Sequence, residues 1–227
     1  MILSDHTHPE VQAVAARLTD KDQSDLENLE NIFHYVRDEI KFGMPSRWDA
    51  VKASETIACK KGYCNTKATL FKALCTAVDI PARIHTGLID IQIMKGLMPD
   101  FVYKFMPETG VHSWIEVLID GAWQPLDSYI NDAPFYNQAL RLLHASNQPI
   151  GFSISEEKGP SSCNFNFGDQ GFVHMGAVVA DHGVWDDYSL YMKSDEYVPL
   201  PAVFLIFFPL IEFASNKYAA RIRSKGG

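Results

Sequence analysis

His112–Ile119 (HSWIEVLI) faces Ala122–Asp127 (AWQPLD) across a single dipeptide, Asp120-Gly121. Asp-Gly between two such runs is a strong two-residue hairpin signal, because both central positions of the favoured turn need positive φ. With the turn there, Ile119 pairs with Ala122 and Trp114 lies opposite Asp127. Ser113, Ile115, Val117 and Ile119 then share one face with Leu126, and His112, Trp114, Glu116 and Asp127 share the other. His112 and Asp127 become diagonal neighbours. Pro125 interrupts the ladder, since it has no N–H to donate.

A second segment carries a thiol. Lys61-Gly62-Tyr63 breaks the pattern, and Ala68, Phe71, Cys75 and Val78 then recur at helical spacing, with Lys67 and Lys72 off the stripe. A helix is predicted from near Cys64 to just before Ile80-Pro81. A cysteine at a helix N-terminus meets a dipole and free N–H groups that favour thiolate and can hold an oxyanion. Thiol catalysis also needs a base and a group that orients it. The hairpin offers both, in His112 and Asp127.

Elsewhere, Ser24 and Glu27 form a capping-box pattern before Leu26, Leu29, Phe33, Val36 and Ile40, one helical face stopped by Gly43 and Pro45. Ala50–Cys59 and Phe135–Ala145 read as further helices. Ala82–Ile93 reads as a strand broken at Gly87, Gly151–Asp169 as loop, and Gly171–Ala180 as strand. Asp181–Tyr188 reads as a solvated loop. Val198–Ala214 is apolar but interrupted by Pro199, Pro201 and Pro209, too short for a membrane span. Core packing, a dimer seam or a lid over an apolar channel is preferred for it over an interfacial anchor beside Lys217, Arg221, Arg223 and Lys225.

Of the 227 residues, 47% are hydrophobic and 21% charged, enough for a real core, and a formal charge of −8 argues against a nucleic-acid partner. Cys59, Cys64, Cys75 and Cys163 include no C-x-x-C pair, and no H-E-x-x-H, Walker A or G-x-G-x-x-G occurs, so no metal and no cofactor is expected. With no secretory leader pattern at the start, the expected setting is the reducing cytoplasm.

Gly62-Tyr63-Cys64, Ile80-Pro81-Ala82-Arg83, His112-Ser113-Trp114-Ile115-Glu116-Val117 and Gly121-Ala122-Trp123 with Asp127, in that order, resemble the transglutaminase-like superfamily, papain-related Cys-His-Asp enzymes. The resemblance spans about Phe33 to Asp132. It implies an α+β fold of papain-like, transglutaminase-core type, with N-terminal helices and a nucleophile helix packed on an antiparallel sheet. It implies Cys64 as nucleophile, His112 as base and then acid, and Asp127 as orienting carboxylate. It also implies an upstream oxyanion donor, for which Trp48 is the candidate ahead of Arg47.

Tyr63, Trp114, Arg83 and His174 are candidates for substrate contact. For Arg83 an ion pair is the plainer reading, and for Trp114 and Trp123 packing that excludes water. Cys75 reads as a small core hydrophobe, and Glu116 as an ion-paired strand residue. Residues 1–145 are expected to form the catalytic core, with the triad region in 33–132, and 146–227 an extension packed on it with the apolar tail at 198–214. The expected chemistry is acyl transfer on an amide or thioester of a peptide, protein or acyl substrate: peptidase, amidase or transamidase, with a cyclase off-loading a carrier-bound chain as the alternative. A non-catalytic binding module is the rival of another class.

Overall fold

A computed structural model describes residues 1–167 and 172–226. The end of the predicted 151–169 loop and the start of the predicted Gly171–Ala180 strand lie outside the described residues. The chain opens with α1 (Pro9–Leu18), capped by His8, and α2 (Asp25–His34). Ser24 and Glu27 close the capping box at the start of α2. Leu29, Phe33, Val36 and Ile40 are fully buried, whereas Leu26, placed on the same stripe by spacing, is exposed. The helix widens into a π turn at Tyr35–Glu39 before the stop at Gly43 is reached.

β1 (Lys41–Phe42) pairs in parallel with β2 (Lys61–Gly62), with α3 (Ala53–Cys59) between them in sequence. The helix that begins with Cys64 is α4 (Cys64–Ala77), buried on nearly every side. Lys67, off its apolar stripe, is nonetheless fully buried. Its ammonium donates to the carbonyls of Tyr129 and Ile130, each at 2.8 Å, and burial draws its pKa down to about 7.

β3 (Ala82–Asp90) runs unbroken through Gly87. The glycine serves a close approach: a Cβ there would collide with the carbonyl oxygen of Ala180 on a neighbouring strand. Ile91–Met94, expected to extend this strand, is a 3₁₀ turn. After α5 (Asp100–Tyr103) come β4 (Thr109–Ile119) and β5 (Ala122–Leu126). Their register matches the sequence reading, Ile119 against Ala122 and Ile115 against Leu126, with Asp120 and Gly121 at φ +49° and +79°.

α6 (Ala133–Ser146) follows, and then β6 (Ile150–Gly151) and β7 (Ile154–Ser155), a small hairpin inside the segment expected to be loop. Met175–Ala177 is a 3₁₀ turn rather than strand. β8 (Val178–Trp185) corrects the solvated-loop reading of Asp181–Tyr188. It is a sheet edge, where acidic and glycine positions are tolerated because one flank faces water. α7 (Tyr188–Tyr191) precedes α8 (Ala202–Arg223). α8 continues through Pro209, against the expectation of a broken tail. A proline inside a helix frees the carbonyl four residues back. Here that residue, Leu205, is half exposed, so water can satisfy it.

Strands β5-β4-β3-β8 form one antiparallel sheet in that order. α4 packs across it, and one core joins the sheet, α1 to α4, α6 and α8. The fold is α+β, with the Cys64 helix packed on an antiparallel sheet, as expected. Among the described residues no helix is long and apolar enough to cross a membrane.

Candidate active site

Cys64 is the first residue of α4, and Tyr63 before it is extended. Gly62 makes this junction possible: a Cβ there would stand 2.7 Å from Thr66 Oγ1, whose oxygen accepts the Tyr63 N–H at 3.1 Å. The Cys64 thiol donates to Asn65 Oδ1 at 3.4 Å. Burial pushes the thiol up to about 12, although the backbone N–H groups of Ser113 and Asn65 favour the anion. Burial thus works against the thiolate that the helix terminus favours. A dipole worth at most about 2 kcal/mol is opposed by the larger cost of removing the charge from water.

His112 is fully buried near the start of β4, and burial, then the neighbouring His174, holds its imidazole well below its usual value of 6.5. Among the described residues neither ring nitrogen has a hydrogen-bond partner. Asp127 follows the last residue of β5. Its oxygens accept three backbone N–H groups, from Val173 at 2.6 Å, His174 at 2.8 Å and Met175 at 3.0 Å. Burial raises it to about 7 against those three donors.

The His174 ring centre lies 5.3 Å from that of His112. Its Nε2 is 3.0 Å from the Ser153 carbonyl and 2.7 Å from Ser153 Oγ, which itself donates to Asn131. A carbonyl only accepts, so Nε2 carries the proton and Nδ1 is left as an acceptor. Burial pulls this ring down to about 3.

Behind the thiol lies a polar network that motif reasoning did not find. Asp49, 2% exposed, accepts from Asn65 Nδ2 at 2.7 Å, from the Tyr197 hydroxyl at 2.7 Å and from the Tyr63 hydroxyl. Asn65 Oδ1 in turn accepts from Ser113 Oγ at 2.9 Å. Asn65 follows Cys64 and Ser113 follows His112, so these two residues are tied through their chain neighbours. A lone Asp in a loop carries no sequence signal of such a role.

Cys64, His112, His174, Tyr63 and Trp48 meet at one apolar pocket of about 150 Å³. The Trp48 ring packs on Tyr63 and Phe208, and its buried Nε1 has no partner among the described residues. Arg47 instead pairs with Glu55 at the surface. Tyr63 offers the pocket its ring, since its hydroxyl is spent on Asp49.

Arg83 and Trp114 do not line the pocket. Arg83 donates to Glu116 at 2.6 Å and lies over the Trp123 ring. Trp114 is sandwiched between His85 and His112. Asp127 does not line the pocket either, and among the described residues no hydrogen bond joins it to His112, its diagonal neighbour in the hairpin, although it is close enough to raise the Cys64 pKa. Among the described residues no three His, Cys, Asp or Glu side chains converge as a metal site.

Among solved structures, the chain is similar to a "putative cysteine protease" from Cytophaga hutchinsonii at 21% identity, over 59% of this chain and 40% of that one, with a TM-score of 0.45. It is also similar to a "putative protease" from Parabacteroides distasonis ATCC 8503 at 15% identity, over 55% of this chain and 24% of that one, with a TM-score of 0.39. The chain thus spans less than half the length of either. No curated protein matches it. Residues 12–128, just over half of the chain, match the transglutaminase-like superfamily from α1 to the end of the hairpin. The chain belongs to the transglutaminase-like superfamily.

Proposed function

We propose that the protein is a cysteine-dependent acyl-transfer enzyme that cleaves an amide or thioester through an acyl-Cys64 intermediate. The observation that carries this reading is that Cys64, at a helix N-terminus, and His112, whose ring nitrogens have no hydrogen-bond partner among the described residues, line one apolar pocket. Because burial favours the thiol, His112 removes its proton as the sulfur attacks. The S–C bond forms, the C–N or C–S bond breaks, and the leaving group departs with the proton held on the imidazole. Water then enters and gives a proton to His112 as its oxygen bonds the acyl carbon; the S–C bond breaks, a carboxylic acid leaves, and the imidazolium returns the proton to the sulfur. An amine in place of water makes the same site a transamidase, and a carbanion on the bound acyl chain makes it a cyclase.

Trp48 Nε1 and the backbone N–H groups at the sulfur are the proposed oxyanion donors. Asp127 is the proposed orienting carboxylate. A carboxylate offers about four acceptor positions, and three are taken by the 173–175 backbone.

The test is intact-mass analysis after mixing the protein with S-acyl and N-acyl reporter donors. A single acyl adduct on Cys64, absent in Cys64→Ala and at least about a hundredfold slower in His112→Ala, is expected. No adduct, with alkylation of Cys64 no faster than that of exposed Cys59, overturns the reading in favour of a binding module.

A further inference from the structure

The pocket that holds Cys64 and His112 is walled as well by Ile91, Ile93, Met94, Met98 and Met106 and by Val198–Pro201 and α8. No charged and no carboxamide side chain lines it. Apart from the Thr109 hydroxyl, its polar side-chain atoms belong to Cys64, His112, His174, Ser153, Trp48 and Tyr63, the last with its hydroxyl bonded to Asp49. Four of the chain's seven methionines, Met44, Met94, Met98 and Met106, line the walls. Methionine is unbranched and polarisable, and it adapts to irregular apolar shapes. We infer that the acyl group taken by this site is an unbranched hydrocarbon chain, with its carbonyl carbon at the Cys64 sulfur and its methyl end among these methionines.

This inference rests on the acyl-transfer reading and adds the substrate class. An engineered apolar cavity of about 150 Å³ stays dry and holds a benzene molecule, so a space of this size takes about six carbon atoms. A side chain bearing an amide or a charge would be stripped of water here with nothing to replace it. Phe204, Phe208 and Ile211 of α8 form the outer wall. Among the described residues no side chain from 204 to 211 makes a hydrogen bond or ion pair, so apolar contact alone closes this wall and a chain can displace it. Farther along, α8 is fastened: Asn216 bonds both the N–H and the carbonyl of Met44, and Arg223 grips Asp132 with two bonds of 2.7 Å.

The experiment is a chain-length series, acetyl to dodecanoyl, run in parallel as S-acyl-pantetheine thioesters and as acyl amides of aminomethylcoumarin, beside dipeptidyl amides of the same dye. The two parallel arms distinguish a thioester from an amide source. Burying one methylene is worth about a fourfold gain, so kcat/KM is expected to climb about a hundredfold or more from acetyl to hexanoyl and then level. Phe204→Asp is expected to flatten the series, and if that variant does not fold the wild-type series decides alone. A flat or falling series, or a dipeptidyl amide turned over faster than the hexanoyl amide, overturns the inference. In those cases an acyl-Cys64 adduct of any length still upholds the parent reading. Calorimetry of Cys64→Ala with octanoate separates the two further. Saturable binding without any adduct in the wild type supports the chain site and sinks the chemistry, and neither binding nor adduct sinks both.

Discussion

Asn65 gives its side-chain N–H to the Asp49 carboxylate over 2.7 Å, which turns the amide oxygen toward the Cys64 thiol and the Ser113 hydroxyl. Three groups lean on that one carboxylate, since Tyr63 and Tyr197 donate to it as well. Asp49→Ala strands these donors in the interior. We expect a loss of about 2–4 kcal/mol in urea unfolding, with Asp49→Asn less costly. A change below about 0.5 kcal/mol for the alanine variant removes the network from the account.

The Trp48 indole N–H is buried at the pocket with nothing to donate to among the described residues. If it meets the oxyanion, Trp48→Phe keeps the packing on Tyr63 and Phe208 and removes only the donor. The expected result is a fall of about a hundredfold in kcat with KM nearly unchanged. A fall in kcat/KM carried wholly by KM assigns the indole to substrate packing instead.

Two buried histidines make the fold sensitive to acid. His174 is held near pKa about 3 and His112 well below 6.5, each chiefly by burial. An unfolded imidazole titrates near 6.5, so below that pH the unfolded chain takes up protons that the native one refuses. Stability from this source is full above about pH 6.5 and declines as the pH falls toward 3. At pH 5 the loss from His174 is on the order of 2 kcal/mol, and His112 adds to it in the same direction. Urea midpoints at pH 7.5 and 5 measure it, and His174→Gln is expected to shrink the difference between them. An unchanged difference would falsify this assignment.

Asp132 is wholly buried, and Arg223 holds it with two hydrogen bonds of 2.7 Å while also donating to the Phe42 carbonyl. Arg223→Ala leaves that carboxylate without its cation and frees the end of α8. Removing one partner of a buried pair costs about 3–5 kcal/mol. The midpoint in urea reads the loss, and limited proteolysis is expected to gain a cleavage between 198 and 211. Resistance equal to wild type places the fastening of α8 elsewhere.

Much of the frame is legible in the chain because local rules act there without competition. Asp120-Gly121 fixes the hairpin register, and Ser24 with Glu27 fixes the start of α2. Where long-range packing decides, local rules mislead. Pro209 reads as a stop, yet α8 continues because Phe208, Ala219 and Ile222 bury themselves across the break. Asp181 and His182 read as a loop, yet β3 recruits them as an edge strand. Lys67 lies off its helix's apolar stripe, yet carbonyls from Tyr129 and Ile130 converge to receive it. At the candidate site, motif order singles out Cys64, His112 and Asp127. Asp49, Asn65 and Ser153 are drawn in by contacts across the fold that no spacing announces.

Asp127 ends the hairpin, and the three main-chain donors that satisfy it come from Val173, His174 and Met175, more than forty positions downstream. A clone trimmed to the family-matched stretch would therefore carry all three motif residues and still leave this carboxylate bare. Its silence in an assay would say nothing about the parent protein. Shortening or lengthening the connection between α6 and β8 acts directly on the donors that satisfy Asp127, so related chains can change that carboxylate's surroundings there without altering a single motif residue.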